Sequence, residues 1–386
     1  MRILFLTSWY PNSEDDQIGN FVRQHALAVA KYCEVHVLAS VQRDQNSLFE
    51  IDHKQIHENF SETIVYTKAP HTSVSAIDRF IKFRRYRQGL FEGYEKIEHR
   101  YGKPDITHLN VIYPAGLFAL WLLKDHGIPF IITEHWTLFL DISPVDIKPW
   151  QLRLMRNVAR QSLRICPVSE SLEQAMKKHG LKGEYEVIPN SIDTNLFHFN
   201  PKHITDPNCI KFLHVSTLDE THKNFSGMIH AFRQLAETNN KFELTIVGEK
   251  LTPAQIKQIK NSGIEDKIQA KGVVPLSRVA ELMQNHDAFV LFSNYETFSI
   301  VLAEALICGL PVITSNVDGV AQEVNDALGL VVPVKDIDKL TDALDHTIKN
   351  ISNYNREEIS QLFETKYSHE IVGEKFHDLY KTVLKK

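Results

Sequence analysis

Short apolar runs alternate with helix-length amphipathic segments along the whole 386-residue chain. In the first half, Ile3–Thr7, Glu34–Ala39, Ile106–Asn110, Phe130–Thr133, Arg164–Pro167 and Glu186–Ile188 read as strands. Phe21–Lys31, Gly116–Asp125 and Leu172–His179 read as helices between them. The second half repeats the grammar with strands at Lys211–Ser216, Phe242–Val247, Lys267–Lys271, Ala288–Phe292, Val312–Ser315 and Leu330–Val332. Its helices include Phe225–Glu237, Ala254–Asn261 behind the cap-like Thr252-Pro253, and Ser277–Asn285. Such alternation, with strands apolar enough to be buried on both faces, predicts an α/β protein with doubly wound sheets. The polar segment Asp193–Asn208, carrying Pro201 and Pro207, is the predicted linker. The expected architecture is therefore two Rossmann-like domains facing each other across a cleft. The expected boundaries are 1–190, 191–366, and a C-terminal helix over 367–386 crossing back to the first domain.

Composition narrows the setting. With 43% hydrophobic and 24% charged residues the chain can bury large cores, and its formal charge of −5 argues against general nucleic-acid binding. Cys33, Cys166, Cys209 and Cys308 are scattered with no CxxC, so neither a zinc site nor a disulfide framework is indicated. No apolar stretch approaches the roughly 18–20 residues of a membrane span, and the first residues enter the strand-like Ile3–Leu6 with no signal peptide. A reducing cytoplasm is the expected location.

One segment breaks the apolar pattern. In "YETFSIVLAEALICGLPVITS", from Tyr295 to Ser315, a helix with no wet face begins near Phe298, ends before Gly309, and carries one carboxylate, Glu304. A buried charge is costly without partners. Free amides and the helix dipole make the N-terminus near Phe298–Ile300 a phosphate site. Glu304, about one and a half turns further in, suits the two hydroxyls of a ribose as an ionised acceptor. Glu296, in the loop before the helix, suits the hydroxyls of a second sugar. Earlier, "TSWYPNSEDDQIGNF", Thr7 to Phe21, is too long and too poor in glycine for a GxGxxG turn. Its Gly19 either lets a ligand approach the backbone or serves only as a helix-entry glycine.

These residues carry a family resemblance. Glu296 and Glu304 have the E-x7-E spacing of retaining GT-B glycosyltransferases, and "EALICGLPVITS" is similar to glycosyltransferase family 4. "VIPNSID" (187–193) resembles its interdomain P-N-G-V-D, and "HVSTLDETHKN" (214–224) its phosphate-binding Arg and Lys segment. "GVVPLSRVAELM" (272–283) resembles its base-binding loop, and "TEHW" (133–136) its active-site His loop. The resemblance implies that Glu304 binds the nucleotide ribose and Glu296 the donor sugar. It implies that the amides of Phe298, Ser299 and Ile300 hold the diphosphate, with Lys223 neutralising it. Val274 would meet the base, His135 the donor sugar near the reacting carbon, and Gly19 the diphosphate from beneath. Asn190 and Ile192 belong to the interdomain turn rather than to ligand contacts.

The chain departs from the pattern in three places. Thr217 stands where the family has its phosphate-binding Arg, Ser299 where glycine is usual, and Asp318 at the first position of G-G-x-x-E, leaving Gly319 before Glu323. These changes bear on the donor more than on the reaction class. Asp336-Ile337-Asp338 mimics a metal-binding D-x-D, but its place before a helical pattern reads as acidic capping. His135 beside Glu134 has no partner motif for a metal. The expected activity is a metal-independent, retaining transfer of a sugar from a UDP-, GDP- or ADP-linked donor to a glycan or lipid-linked acceptor, in polysaccharide or glycolipid synthesis. No cofactor is expected beyond the donor substrate. The rivals are a glycosidase using Glu296 and Glu304, a phosphorylase or nucleotide-sugar epimerase, and a catalytically idle nucleotide-sugar-binding module. Finally, "DRFIKFRRYRQ" (78–88) interleaves five basic residues with Phe80, Ile81, Phe83 and Tyr86. It suits either an anionic membrane surface, which would place the protein at the inner face of the membrane, or a solvated helix whose apolar residues pack inward.

Overall fold

The computed structural model describes residues 1–72, 74–141 and 146–385, and its contacts divide the chain into two units. One comprises Met1–Ser191 with the chain from His369 onward, the other Ile192–Ser368.

The first unit runs β1 (Arg2–Thr7), α1 (Asn20–Ala30), β2 (Glu34–Arg43), β3 (Phe49–His57), β4 (Phe60–Lys68), α2 (Ser75–Tyr101), β5 (Ile106–Asn110) and α3 (Gly116–His126). It continues through β6 (Phe130–Glu134), α4 (Pro149–Gln161), β7 (Ile165–Pro167) and α5 (Glu170–Lys178). The strand order is β3-β4-β2-β1-β5-β6-β7, parallel except where β3 pairs antiparallel with β4. Strands β1 and β5 are buried at nearly every position, as sheets covered on both faces require.

The second unit runs β8 (Ile210–Ser216), α6 (Glu220–Lys223), α7 (Phe225–Ala236), β9 (Phe242–Gly248), α8 (Pro253–Lys260), β10 (Ile268–Ala270), α9 (Leu276–Gln284) and β11 (Ala288–Leu291). After these come α10 (Ile300–Ile307), β12 (Val312–Ser315), β13 (Gly329–Val332), α11 (Ile337–Asn350) and α12 (Arg356–Tyr367). Its sheet is parallel, in the order β10-β9-β8-β11-β12-β13. This is the doubly wound order, in which the winding reverses between the first and fourth strands and ligands gather beyond their carboxyl ends. Here that switch point lies between β8 and β11, and the connections leaving those strands carry Lys223 and Glu296.

A last helix, α13 (His369–Leu384), returns to the first unit. Its Val372, Phe376, Leu379 and Val383 join the core built on Ile3, Phe5, Val22 and Val35. Tyr380 Oη lies 2.6 Å from His108 Nδ1 on β5.

Two departures from the sequence reading have physical causes. Glu186–Ile188 is not a strand, although the Glu186 and Ile188 amides donate to the Ile165 and Pro167 carbonyls at 3.0 and 3.2 Å. The hairpin β3–β4 is not predicted by the apolar pattern. Strand β3 is an edge strand whose sequence, "FEIDHKQIH", is largely polar, and β4 buries Ser61, Glu62 and Thr63 among its apolar residues.

Candidate active site

After β8 the chain turns into the short helix α6, whose entry Asp219 accepts a hydrogen bond from the His222 amide at 2.8 Å. The turn carries Lys223 to the helix end, where its side chain is buried. Its Nζ donates to Glu296 Oε1 at 2.5 Å, and Ser293 Oγ donates to the same oxygen at 2.7 Å. His222 Nε2 stands 3.7 Å from the other oxygen, Oε2, an ion-pair separation rather than a hydrogen bond. Burial by itself would raise the Glu296 carboxyl, but Lys223 and His222 together outweigh it and hold the group at about 2. Glu296 is ionised throughout the neutral range.

The same connection leads into α10. Its N-cap, Ser299, is left-handed at φ 67°, and the Phe298, Ser299 and Ile300 amides donate to no acceptor among the described residues. Orphan amides are normal in a first helical turn; here the turn is fixed from behind. Val320 donates its amide to the Phe298 carbonyl at 3.0 Å, and a Cβ on Gly319 would stand 2.5 Å from Phe298 Cα. Gly319, at φ 79°, is therefore the one residue type that fits beneath this turn.

Glu304 lies within α10, buried among Leu302, Ala303, Ala305 and Leu306. Its carboxyl makes no hydrogen bond or ion pair among the described residues, and burial alone pushes it up to about 8. This revises the expectation of an ionised acceptor: before a ligand arrives the group keeps its proton at neutral pH.

The other expected donor residues of this unit lie on separate connections. Thr217 is exposed just past β8, and Val274 is half-buried between β10 and α9. Among the described residues neither is joined to Lys223 or Glu296 by a hydrogen bond. Gln322 donates to Asp318 at 3.1 Å, and Glu323 takes the Lys366 ammonium at 2.5 Å and the Tyr367 hydroxyl.

In the first unit, Gly19 sits at φ 66° as the N-cap of α1, where a Cβ would come within 2.3 Å of the Trp9 carbonyl oxygen. The chain's own packing is thus sufficient to require glycine there. His135 follows β6, its ring packed on Phe21 at 4.4 Å and near His25 at 5.4 Å. Its ring nitrogens lack a hydrogen bond of good geometry, Asn190 exerting only a weak upward pull. Burial, reinforced by His25 and His108, holds the imidazole neutral. Glu134, next to it, accepts from the amides of Ile112, His135 and Trp136 at 2.9, 3.0 and 3.0 Å, fixing two loops at once. Burial nevertheless pushes its carboxyl up to about 7.

Asp336 caps α11 by accepting from the Lys339 amide at 3.0 Å, and Asp338 accepts from Gln234 at 3.2 Å. Among the described residues no cluster of three or more His, Cys, Asp or Glu has the spacing of a metal site. No helix there is long and apolar enough to cross a membrane. Sequence reasoning passed over His222 and Ser293, and weighed Glu134 only as half of a metal pair with His135. The one available signal for His222 was its position beside Lys223.

Two family models match the chain side by side. Glycosyltransferase Family 4 matches residues 18–196 and Glycosyl transferases group 1 matches residues 198–361. The chain belongs to the family 4-like GT-B glycosyltransferases. It is 23% identical over 270 residues to a phosphatidylinositol N-acetylglucosaminyltransferase subunit of Arabidopsis thaliana, covering 69% of this chain and 59% of that one. It is 26% identical over 258 residues to the phosphatidyl-myo-inositol mannosyltransferase of Mycobacterium leprae, covering 64% of this chain and 65% of that one. The chain thus spans less than two thirds of the length of either relative. The solved structure of Anabaena HepE in complex with UDP and glucose matches with a TM-score of 0.73 at 16% identity, over 99% of this chain and 100% of that one. At that identity the match speaks for the fold.

Proposed function

We propose that the protein transfers a sugar, with retention of configuration, from a nucleotide-diphosphate sugar to a glycan or lipid-linked acceptor. One observation carries the reading. The connection from β11 into α10 brings an ionised carboxylate on Lys223, a run of unengaged amides and an unpartnered buried carboxyl onto one short stretch of chain. These are the needs of a sugar, a diphosphate and a ribose diol respectively. The leaving group is a nucleoside diphosphate, so stabilising its growing charge is the main electrostatic task. Lys223 and the helix amides supply that charge without a divalent ion. Glu296 is engaged by Lys223 and Ser293, so it is not offered as a covalent nucleophile. Attack by the acceptor on the face the leaving group departs from, with the phosphate taking the proton, fits these residues.

The lipid acceptor rests on two supports. Both named relatives act, by their names, on phosphatidylinositol lipids. The start of α2 and the residue before it expose Val74, Ile77 and Phe80, the last at 67%, beside Arg79, Lys82, Arg84 and Arg87, which pair with no carboxylate among the described residues. A glycosidase fits less well, because both family models that match the chain are those of glycosyltransferases.

Thermal unfolding in the presence of UDP-, GDP- and ADP-sugars tests the donor. A ligand at 100 times its dissociation constant stabilises by about 2.7 kcal/mol, so one base series should raise the unfolding temperature in EDTA as well as in buffer. No shift with any donor at millimolar concentration, or a shift only with added divalent metal, would overturn the reading.

A further inference from the structure

Thr217 leaves the donor site one cation short of its family's pattern, and the neighbourhood of Lys223 contains a second group able to carry charge. His222 precedes Lys223, and its ring lies flat on Tyr295, with centroids 4.3 Å apart and planes 8° from parallel. Its position is set by four contacts. Asp219 holds its amide at 2.8 Å, its carbonyl accepts from the Asn294 amide at 2.8 Å, and Asn294 Nδ2 donates to the Thr221 carbonyl at 2.8 Å. The fourth is the Glu296 Oε2 oxygen, 3.7 Å from His222 Nε2. That nitrogen is buried and makes no hydrogen bond. The ring is therefore clamped between an aromatic face and a carboxylate oxygen that Lys223 does not use.

Each Glu296 oxygen therefore faces a different basic side chain, Lys223 at Oε1 and His222 by Oε2. The division matters once a diphosphate arrives, because Lys223 cannot turn to the phosphates while it alone balances a buried carboxylate. We propose that the His222 imidazolium is the second counter-charge of Glu296, and that it releases Lys223 for the donor diphosphate in place of the arginine that Thr217 replaces. The inference rests on the donor-site reading above. A positive charge is further favoured by the Tyr295 ring face. Among the described residues, the titratable groups around the imidazole are Asp219, Glu220 and Lys223 on its own turn, and the neutral Tyr295 phenol and Glu296 from the facing loop; His214 lies beyond Lys223. Histidine loses its charge between about pH 5 and 8, so donor affinity in this protein should carry a pH dependence that an arginine would not give. His222 acts through Glu296 and Lys223 and is a positioning residue.

Two measurements test this on the full chain. The first needs no ligand: the His222 ring titration is followed by NMR in wild type and in Glu296→Gln. The midpoint should fall by about 0.5 pH unit or more when the carboxylate is removed; an unchanged midpoint overturns the pairing. Should Glu296→Gln fail to fold, His222→Gln replaces it. Its loss of unfolding temperature should then be larger at pH 6 than at pH 8.5, and an equal loss at both overturns the pairing. The second measures UDP, GDP and ADP affinity from pH 6 to 8.5. Wild type should weaken by about fivefold across that range for whichever diphosphate binds. His222→Gln should be weak and flat, and His222→Lys tight and flat. A wild-type profile in His222→Gln overturns the role. If none of the three binds wild type, the donor reading falls, and the titration alone judges the Glu296–His222 pair.

Discussion

Glu296 and Glu304 are both buried carboxyl groups, eight positions apart, and their surroundings drive them in opposite directions. Lys223 and His222 hold Glu296 down at about 2, while burial without a partner pushes Glu304 up to about 8. An unfolded glutamate ionises near about 4.3. The proton on Glu304 therefore stabilises the fold fully below that value, less across the window up to about pH 8, and no longer above it. Glu304→Gln removes this slope. Its unfolding temperature relative to wild type should rise as pH goes from 5 to 8.5, and parallel curves for the two proteins would refute the buried-acid assignment. In binding, Glu304→Ala should weaken ribonucleotides by about 1.5–3 kcal/mol, with little further loss for the 2′,3′-dideoxy analogue. Equal further loss in mutant and wild type would remove the ribose from Glu304. Lys223→Ala strips the main cation from Glu296 and from the diphosphate together. Turnover should drop at least about 100-fold and recover in part with Thr217→Arg. Near-normal turnover in Lys223→Ala would exclude the role.

Elements were legible where the apolar period was clean. The predicted Ile106–Asn110 and Val312–Ser315 are the observed β5 and β12, and the Thr252-Pro253 signal is a capping box in which the Gln255 amide and side chain bond back to Thr252. The edge hairpin β3–β4 was lost because polar residues on an edge strand cost little and erase the pattern. In the candidate site, Glu296 and Glu304 stood out by their places before and within an apolar helix, and Lys223 came only through the family resemblance of its segment. The His222 contact with Glu296 was illegible because it depends on how the loops after β8 and β11 fold against each other, and the Ser293 contact because it depends on the local turn of the loop after β11. Asp336-Ile337-Asp338 shows the value of deciding by element. Asp336 caps α11, and a cap is worth about 1 kcal/mol. Asp336→Ala should therefore lower the unfolding temperature by a few degrees and leave turnover intact with or without EDTA. Lost turnover rescued by manganese would instead make the aspartates metal ligands.

At the scale of the molecule, a formal charge of −5 should repel an anionic membrane, so any adsorption must come from a local concentration of opposite charge. The exposed start of α2 is such a place. Arg85 is not free for this purpose, since it donates to the Lys68 carbonyl at 2.5 Å, whereas Arg84 and Arg87 lie on the outward side with Phe80. Each basic residue near an anionic surface contributes about 1 kcal/mol, and a phenylalanine already exposed in water adds apolar area at no cost to the fold. The full chain should co-sediment with phosphatidylglycerol liposomes at low salt and come off as salt is raised. Arg84→Glu with Phe80→Ser should abolish this while leaving thermal stability unchanged, because both side chains are exposed. Turnover on a detergent-dispersed or water-soluble acceptor should survive the double substitution, which separates adsorption from chemistry. Wild type remaining in the supernatant at low salt would refute membrane docking by α2 and favour a soluble glycan acceptor for the same transfer.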